Sequence, residues 1–388
     1  MNTISDHNKD VAIICSHYSP FGGIETLGLN IINELIKNEI QVSLLTRPGQ
    51  KWPIQHDKLQ IIPLGIHRGD RFLQAFLFNH AVNEYLSAHL FDCIFSLDRV
   101  SFSTHLHAGS GTHKSFLDVK NKNSNAVQRL FRKTSLFHLY TLYIEKQGFT
   151  NQGVKKIWCI SNLVKEDICH DYPVDQNKIQ VIPGCLDWEK IGQTFKQRQE
   201  TARRLSLKHH LSLEKNHLLF LGSGFSRKGL DIAIKGLACL PDSYELIVIG
   251  KGSQQNYTKL ISTLDLSQRV HLLGPQENGW EYASLCKAFV LPSRYEPFGL
   301  AAAEAQAMGL PVLITDKTGY KDCLAADAGI ILEQPADDER IKISFRQLSS
   351  LIKNPKLGPE QIRNNVEYLD NKLIFKRIIV DFLGIKLP

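Results

Sequence analysis

Two glutamates eight positions apart lie in the stretch SRYEPFGLAAAEAQAMGLPVL, residues 293–313. Pro297 disfavours helix at Glu296 and suits the first position of a helix, so we expect Glu296 on a loop at the carboxyl end of a strand. The first turn of that helix has N–H groups without helical partners, which a diphosphate could accept. These donors belong to Phe298, Gly299 and Leu300.

The second acid, Glu304, is about two turns into the helix and is surrounded by alanines in AAAEAQAM. Small side chains predict close packing, and a carboxylate among them needs a polar partner. Sugar or ribose hydroxyls would serve. The pair therefore predicts one acid at each end of a ligand, with phosphates held between them. A capping Glu296 and a solvent-facing Glu304 would be the purely structural alternative.

A glycine pair and a basic glycine turn each follow a predicted first strand. Gly22 and Gly23 precede a helical pattern in PFGGIETLGLNIINEL, and Arg227 and Lys228 precede another in FLGSGFSRKGLDIAI. Glycines let backbone approach a ligand closely, and cations beside free N–H groups suit a phosphate or pyrophosphate. Either junction alone could be a tight turn or a solvated helix start. One in each half of the chain favours ligand binding.

Short β-branched apolar runs alternate with amphipathic stretches, which is typical of strand–helix units with a parallel sheet. Residues 186–216 are polar, helix-prone and without a strand pattern, and we take them as the region joining two domains. The predicted strands are 11–16, 40–46, 59–66, 92–98, 104–109, 156–161 and 179–184, then 218–222, 244–250, 270–274, 288–292, 311–315 and 329–333.

This pattern predicts an α/β protein with two doubly wound Rossmann-like domains, 1–185 and 186–369, whose parallel sheets face a central cleft. Residues 370–388 have helical periodicity and could cross back to the first domain. A chain of 388 residues favours two domains because single cores rarely exceed ~250–300 residues. Ligands favour the crevice at the carboxyl ends of such strands.

Composition and motifs narrow the function classes. With 43% hydrophobic and 22% charged residues, the chain is typical of a globular protein. It has no apolar run of ~20 residues for a membrane span and no secretory signal, so we expect a soluble, intracellular protein. Its eight cysteines are far apart, which predicts buried reduced thiols. The absence of D-x-D and of a His/Cys ligand cluster predicts no metal, and no nucleic-acid-binding motif is present.

The segment 114–146 holds seven Lys/Arg against two acids and mixes them with Leu, Phe and Tyr at helical spacing. Such a basic amphipathic helix can rest on an anionic membrane surface. The alternative is that the aromatic residues belong to the domain core and the basic residues are solvated.

The motifs EPFGLAAAE, AQAMGLPVLITDKTGY, SRKGLDIAI and PFGGIE resemble the retaining glycosyltransferases of family 4, which have the two-domain GT-B fold. The resemblance spans about 11–385. It is greatest to the lipopolysaccharide core glucosyltransferases, in PFGGIETLGLNI, LGSGFSRKG and the IPGCLD segment. It implies a nucleotide-sugar donor, with UDP-glucose favoured, and a saccharide or lipid-linked saccharide acceptor.

Donor contacts follow from the resemblance position by position. Lys228, with Arg227 beside it, would neutralise the diphosphate, and Gly22 and Gly23 would bring backbone to the phosphates. Glu296 would contact hydroxyls of the donor sugar.

The far end of the donor is assigned in the same way. Glu304 would contact the ribose, and the nucleobase would lie near Gly250 and Leu273. Ser223 stands where many relatives have arginine, and we count it among the donor-binding residues.

Members of the family also place a polar residue near the sugar at the end of the fifth strand, where this chain has HLHAGSGTH. His107, Ser110 and His113 compete for that role, and we favour a histidine, His107 or His113. Ser110 lies where an acid is expected in close relatives.

The implied reaction is same-face transfer with retention, in which the departing phosphate takes the acceptor proton and no metal or other cofactor takes part. A lipid-linked acceptor would place the enzyme in the cytoplasm, peripheral on the inner face of the inner membrane. UDP-N-acetylglucosamine or a GDP-sugar stays open as donor, as does a nucleotide-sugar epimerase of the same fold. A dinucleotide oxidoreductase would need GxGxxG, which is missing, and a non-catalytic membrane-binding protein would not need Glu296, Glu304 and Lys228.

Overall fold

The computed structural model describes residues 10–19, 23–122 and 124–385, and it divides into two compact units. The first comprises Met1–Ile182 with Phe375–Pro388, and the second comprises Pro183–Ile374. The boundaries predicted from sequence, after 185 and after 369, lie a few residues from these divisions.

The first unit contains a seven-stranded parallel sheet with the order β3-β2-β1-β4-β5-β6-β7. Each strand predicted for this half is found, and most end earlier than predicted. The strands are β1 Asp10–Ile14, β2 Gln41–Thr46, β3 Leu59–Pro63, β4 Cys93–Ser96, β5 His105–Ala108, β6 Lys156–Cys159 and β7 Ile179–Val181.

Helices connect these parallel strands, as parallel pairing requires. They are α1 Gly23–Lys37, α2 Arg71–Ala88, α3 His113–Lys122, α4 Ala126–Thr134, α5 Leu136–Thr150 and α6 Asn162–Asp171. The predicted basic amphipathic segment thus becomes parts of three helices. Ser135 separates α4 from α5, and its side chain accepts a hydrogen bond from His138 N at the start of α5.

The second unit contains a six-stranded sheet, again parallel, with the order β10-β9-β8-β11-β12-β13. All six predicted strands are present. They are β8 Asn216–Leu221, β9 Tyr244–Ile249, β10 Val270–Gly274, β11 Cys286–Leu291, β12 Val312–Thr315 and β13 Gly329–Leu332. Two such α/β units confirm the predicted fold class.

The helices of this unit begin in the segment 186–216, where the sequence predicts helix without strand. They are α7 Trp188–Lys196, α8 Arg198–His209, α9 Phe225–Lys228, α10 Leu230–Ala238, α11 Gln255–Thr263, α12 Leu300–Ala307, α13 Asp338–Lys353 and α14 Pro359–Asn364. A last helix, α15 Asn371–Arg377, runs across the division between the units into a π turn, Ile378–Phe382.

The final turn of the chain is built into the core of the first unit. The ring of Phe382 is fully buried, with its centroid 5.8 Å from that of Phe95 and 6.1 Å from that of Trp158. His105 contacts the same ring at 5.3 Å. The turn Ile378–Phe382 therefore completes the packing against β4, β5 and β6.

No helix within the described ranges has the length and apolarity that a membrane crossing requires. The eight cysteines are all free, and four of them are buried: Cys15, Cys93, Cys159 and Cys286.

Substitution Phe382→Ala should lower the free energy of unfolding of the first unit by about 3–5 kcal/mol, because it leaves a cavity among three buried aromatic rings. Urea unfolding followed by tryptophan fluorescence measures the loss. Val380→Ala in the same turn is the matched control, since Val380 is 36% exposed and its truncation should cost about 0.5–1 kcal/mol. Equal effects of the two substitutions would show that the C-terminal turn is not part of this core.

Candidate active site

The predicted donor residues of the second unit lie along one edge of its sheet. Because all six strands are parallel, their carboxyl ends share that edge. The chain runs from β8 to β9 on one side and reaches β11 on the other, so β8 and β11 flank the switch point where ligands of such sheets bind. Lys228 follows β8 and Glu296 follows β11.

Two turns at this edge of the sheet, one after β8 and one after β9, each need a glycine. Gly229 has φ +74°, and a Cβ there would lie 2.0 Å from the carbonyl oxygen of Pro292. Gly250 has φ +142°, and its Cβ would lie 2.2 Å from the carbonyl oxygen of Gly222. Any side chain at these positions would push the turn away from the neighbouring strand end. The aliphatic stem of Lys228 lies over Gly222.

A compact cluster of charges forms at this point. The Glu296 carboxylate is paired through Oε2 with Lys228 Nζ and, at 2.8 Å, with Arg227 Nη1. Lys228 is only 9% exposed. Oε1 of Glu296 makes no hydrogen bond within the described part of the chain, so it is free to accept one from a hydroxyl. The structure thus brings together three residues that the sequence places 69 positions apart at most.

Burial and pairing shift the ionisation of this cluster. Burial lowers the pKa of Lys228, and the Glu296 carboxylate offsets part of that effect. Burial alone would raise the pKa of Glu296, but the adjacent Lys228 and Arg227 hold it below its ordinary value. Their close pairing favours the charged form of each group.

Arg227 is positioned by neighbours that the sequence analysis did not identify. Its Nη1 also donates to the carbonyl oxygen of Tyr295 at 2.9 Å. Arg294 forms a bidentate pair with Asp231, at 2.9 and 2.6 Å, and donates to the carbonyl oxygen of Ser226. Arg294 lies three residues after the end of β11. A basic residue close behind a predicted strand was the feature of the sequence that could have identified it.

The loop after β11 and the helix that follows have the predicted form. The backbone of Glu296 pairs with the 317–319 turn, since Gly319 N donates to Glu296 O at 2.9 Å. Gly299 has φ +105° and precedes α12, which begins at Leu300. The backbone N–H groups of Phe298, Gly299 and Leu300 donate no hydrogen bond to any described residue, as predicted.

Glu304 is the fifth residue of α12, among alanines, and it is half-buried. Burial raises the pKa of its carboxyl to about 7, and the nearby Lys228 opposes this rise. Its carboxyl makes no hydrogen bond or ion pair with any residue that the structure describes. An acceptor held in this way is suited to a hydroxyl partner.

The residues predicted for the far end of the donor lie on neighbouring strand ends. Gly250 N donates to the carbonyl oxygen of Gly274 at 3.0 Å, which joins the ends of β9 and β10. Ser223 Oγ accepts from Lys251 N at 3.1 Å and so links the β8 turn to the β9 turn. Leu273 is half-buried at the end of β10. Their predicted contacts with the nucleotide stay predictions.

In the first unit, the predicted glycine pair is only partly described. Gly22 lies outside the described residues, and Gly23 begins α1. The switch point of this sheet lies between β1 and β4, where the Asp98 carboxylate accepts a hydrogen bond from Ser16 N. The sequence analysis did not identify Asp98. The signal was present, because SLDR places charged residues at the end of a predicted strand, as SRYE does after β11.

His107 lies in β5 and is buried, and its ring packs 4.1 Å from the ring of Trp158. Burial lowers its pKa to about 3, so the ring is neutral at physiological pH. Neither ring nitrogen has a hydrogen-bond partner among the described residues. His107 lines a small cavity of about 60 Å³ together with Asp98, Arg99 and Ser110.

His113 and Ser110 are already engaged. His113 Nε2 lies 3.0 Å from His138 Nδ1, and burial lowers the pKa of His113 to about 4. Ser110 Oγ accepts from Arg99 Nη2 at 3.0 Å. Of the three competing residues, only His107 has a side chain without a hydrogen-bond partner in the described chain, and its contact with a sugar stays a prediction.

Glu145 organises this region, and the sequence analysis missed it. Its buried carboxylate accepts from Arg99 Nε at 2.6 Å, from His113 N at 2.9 and 2.7 Å, and from the Tyr172 hydroxyl at 2.6 Å. These three partners lie on three separate segments of the chain, so no local pattern could reveal them.

Two protein-family descriptions match this chain, one in each half. Residues 21–190 match the description Glycosyltransferase Family 4, and residues 203–367 match Glycosyl transferases group 1. The class of protein is therefore a glycosyltransferase. The two matches together span most of the chain, which thus combines a family 4 glycosyltransferase domain with a group 1 glycosyl transferase domain.

Individual relatives agree on the class and differ in what their names describe. Lipopolysaccharide glucosyltransferase WaaG of Escherichia coli is 27% identical over 56% of this chain and 59% of its own length. The GPI3 subunit of phosphatidylinositol N-acetylglucosaminyltransferase of Saccharomyces cerevisiae is 23% identical over 92% of this chain and 78% of its own. The match thus spans little more than half the length of the first relative.

Among solved structures, the crystal structure of WaaG, described as a glycosyltransferase involved in lipopolysaccharide biosynthesis, has a TM-score of 0.75 at 20% identity. The aligned region covers 96% of this chain and 100% of the WaaG chain. This likeness confirms the GT-B fold.

The raised pKa of Glu304 makes the stability of the ligand-free protein depend on pH. A carboxyl with a folded pKa of about 7 against an ordinary 4.5 favours the folded state at low pH. That contribution is fully present below pH 4.5 and is lost as pH rises through 7. Glu304→Gln should therefore remove part of the fall in thermal midpoint between pH 5 and pH 8.

Glu214→Gln is the matched control, because Glu214 is an exposed acid of the same unit. It should leave the pH dependence of the wild type unchanged. An identical pH profile for Glu304→Gln and wild type would contradict the burial of this carboxyl.

Proposed function

We propose that the protein is a retaining hexosyltransferase that takes its sugar from a nucleotide diphosphate sugar bound by the second unit. One observation carries this: Lys228, Arg227 and Glu296 are paired at the switch point of the sheet, beside the unbonded N–H groups that begin α12. The cations and N–H groups match a diphosphate, and the two glutamates match hydroxyls on either side of it.

In the proposed reaction, the bond between the anomeric carbon and the phosphate oxygen breaks while the acceptor hydroxyl oxygen bonds to that carbon on the same face. The proton of the acceptor hydroxyl passes to the departing phosphate oxygen. Lys228, Arg227 and the helix N–H groups stabilise the negative charge that develops on the diphosphate, so no metal is needed for that task. Glu296 holds both cations in place and offers Oε1 to a sugar hydroxyl.

The relatives guide the choice of substrates. The name of WaaG supports a glucosyl donor, proposed as UDP-glucose, and a lipopolysaccharide core acceptor. The name of GPI3 supports the alternative of an N-acetylglucosaminyl donor on another acceptor, and a GDP-sugar is a third option. Isothermal titration calorimetry with each of these nucleotide sugars measures which of them the protein binds, and so distinguishes the three candidate donors. Formation of a new nucleotide sugar without any acceptor would instead indicate an epimerase.

Replacing Lys228 by methionine should lower turnover by about 10²–10³-fold, because it removes a preorganised cation from the leaving group but keeps the aliphatic stem over Gly222. Release of the nucleoside diphosphate from UDP-glucose, with truncated lipopolysaccharide core as acceptor, measures the rate. Lys235→Met, which removes a half-exposed cation on α10, is the matched control and should keep wild-type turnover.

Because Lys228→Met leaves Glu296 buried without its main partner, folding is checked by circular dichroism and thermal midpoint. The double variant Lys228→Met/Glu296→Gln removes both charges and keeps the test valid if the single variant unfolds. A folded variant of either kind with near-normal turnover would refute the diphosphate assignment.

We also propose that α4 and the start of α5 bind an anionic membrane surface, on the inner face of the inner membrane. No residue of α4 is buried, and its basic side chains stand beside exposed apolar ones. The exposed apolar residues of α4 and α5 are Val127, Leu130, Phe131, Leu136, Leu139 and Tyr143, and the basic residues are Arg129, Arg132 and Lys133. Apolar side chains left in water beside cations favour a lipid surface over a purely solvated helix.

Sedimentation with vesicles that contain phosphatidylglycerol tests this surface. Changing Arg129, Arg132 and Lys133 to glutamine should reduce binding about tenfold or more, since each basic residue near an anionic surface contributes about 1 kcal/mol. The matched control changes three exposed lysines of the second unit to glutamine: Lys259, Lys287 and Lys353. Similar binding by both triple variants would show that net charge, not α4, attracts the vesicles.

A further inference from the structure

A hollow of about 560 Å³ lies in the first unit between α2, α5 and the loop that leads from β4 to β5. None of its lining residues belongs to the groups discussed above, apart from Tyr143 at its rim. Ligand pockets commonly have volumes of ~300–1,000 Å³, so the hollow is large enough for a small molecule or for one unit of a larger one.

Aromatic rings form one wall of this hollow. Phe76 and Tyr140 have ring centroids 5.6 Å apart, and Tyr140 and Tyr143 are separated by 6.3 Å. Phe72 packs against both Phe76 and Tyr140 and so holds the rings in place. Phe76 is 43% exposed and Tyr143 is 58% exposed. The wall therefore presents rigid apolar ring surfaces to whatever enters.

The same two helices also contribute amides to the lining, and two of these are held in a fixed orientation. Ser101 Oγ donates to Asn79 Oδ1 at 3.1 Å, so it accepts from Asn83 Nδ2 at 2.7 Å. This leaves Asn83 Oδ1 as an acceptor, and that atom is buried without a partner in the described chain. A buried acceptor without a partner costs free energy, which a donor from a ligand would recover.

Further polar groups around the hollow are also unused. The Gln147 amide and the His80 ring line it, and the structure records no side-chain hydrogen bond for either of them within its described residues. By contrast, no Asp, Glu, Lys or Arg is among the described residues that line it. A nucleotide, a phosphate or an anionic lipid headgroup would require a cation here, and a hydrocarbon chain would leave the amides unsatisfied.

A sugar ring combines the two properties that this lining requires. Its C–H faces are apolar and pack on aromatic rings, while its hydroxyls donate and accept hydrogen bonds around the rim. We propose that the hollow is a carbohydrate-binding site for a neutral hexose unit of a glycan, separate from the donor cluster of the second unit. It would hold a sugar that is not itself reacting. The assignment stands independently of the proposed transfer reaction, because binding requires neither donor nor turnover.

Saturation-transfer difference NMR on the full chain tests this site, with the methyl glycosides of glucose, galactose and N-acetylglucosamine as probes. UDP is present throughout so that the donor cluster is not the site observed. We expect at least one glycoside to bind at millimolar concentration. Phe76→Ala, Tyr143→Ala and Asn83→Ala should each weaken that binding about tenfold, because each removes a ring surface or the unpaired acceptor.

Phe131→Ala is the matched control, since Phe131 is 73% exposed on α4 and lies outside the hollow. It should leave glycoside binding unchanged. Unaltered thermal midpoints show that the variants are folded. If Phe76→Ala does not fold, Tyr143→Ser serves as a second variant at the rim of the hollow. The proposal is overturned if no glycoside binds the wild type or if the hollow variants bind as the wild type does. Loss of vesicle binding alone in Tyr143→Ala would also overturn it and indicate a lipid contact.

Discussion

The second unit depends on placing two opposite charges, Lys228 and Glu296, side by side in a site largely shielded from water. Either charge alone would be costly to bury, and the pair is tolerated because each satisfies the other and Arg227 adds a second cation. Glycine makes this possible. Gly229 and Gly250 bring the ends of β8, β9 and β11 so close that no side chain fits between them.

The same arrangement of strands places different groups at the switch points of the two units. Each sheet has a switch point beside its first strand, and an acid that follows the strand on the other side contacts a group that follows the first strand. In the first unit Asp98, after β4, contacts Ser16 N, after β1. In the second unit Glu296, after β11, contacts Lys228, after β8. In the second unit the meeting groups are charged, which suits phosphates. In the first unit, the Asp98 carboxylate accepts from Ser16 N, and His107 nearby is held neutral by burial. A neutral imidazole and a carboxylate together suit hydroxyls, which can both donate and accept hydrogen bonds.

Charge also separates the two surface features of the first unit. The face of α4 combines Arg129, Arg132 and Lys133 with exposed apolar side chains, whereas the hollow between α2 and α5 has amides and aromatic rings but no charged residue in its lining. An anionic surface is attracted by the first and gains nothing from the second. A neutral sugar has the opposite preference. The two features can therefore be tested separately even though α5 contributes to both.

The sequence by itself determined the elements and the residues whose meaning is local. Alternating apolar runs identified all thirteen strands found in the described residues, and Pro297 with the following glycine placed Glu296 on a loop and Glu304 on a helix. Lys228 and Arg227 were predicted from a single turn. These signals are short-range, because strand and helix periodicity and turn chemistry act over a few neighbouring residues.

Only the tertiary structure decided which groups meet across long separations. It joined Glu145 to Arg99, His113 and Tyr172, left the buried His107 ring without a hydrogen-bond partner in the described chain, and gathered the amides around Asn83. The physical reason is that side-chain partners in a parallel sheet come from strands and helices far apart in the chain. Their pairing depends on strand order and burial, which a single sequence does not display.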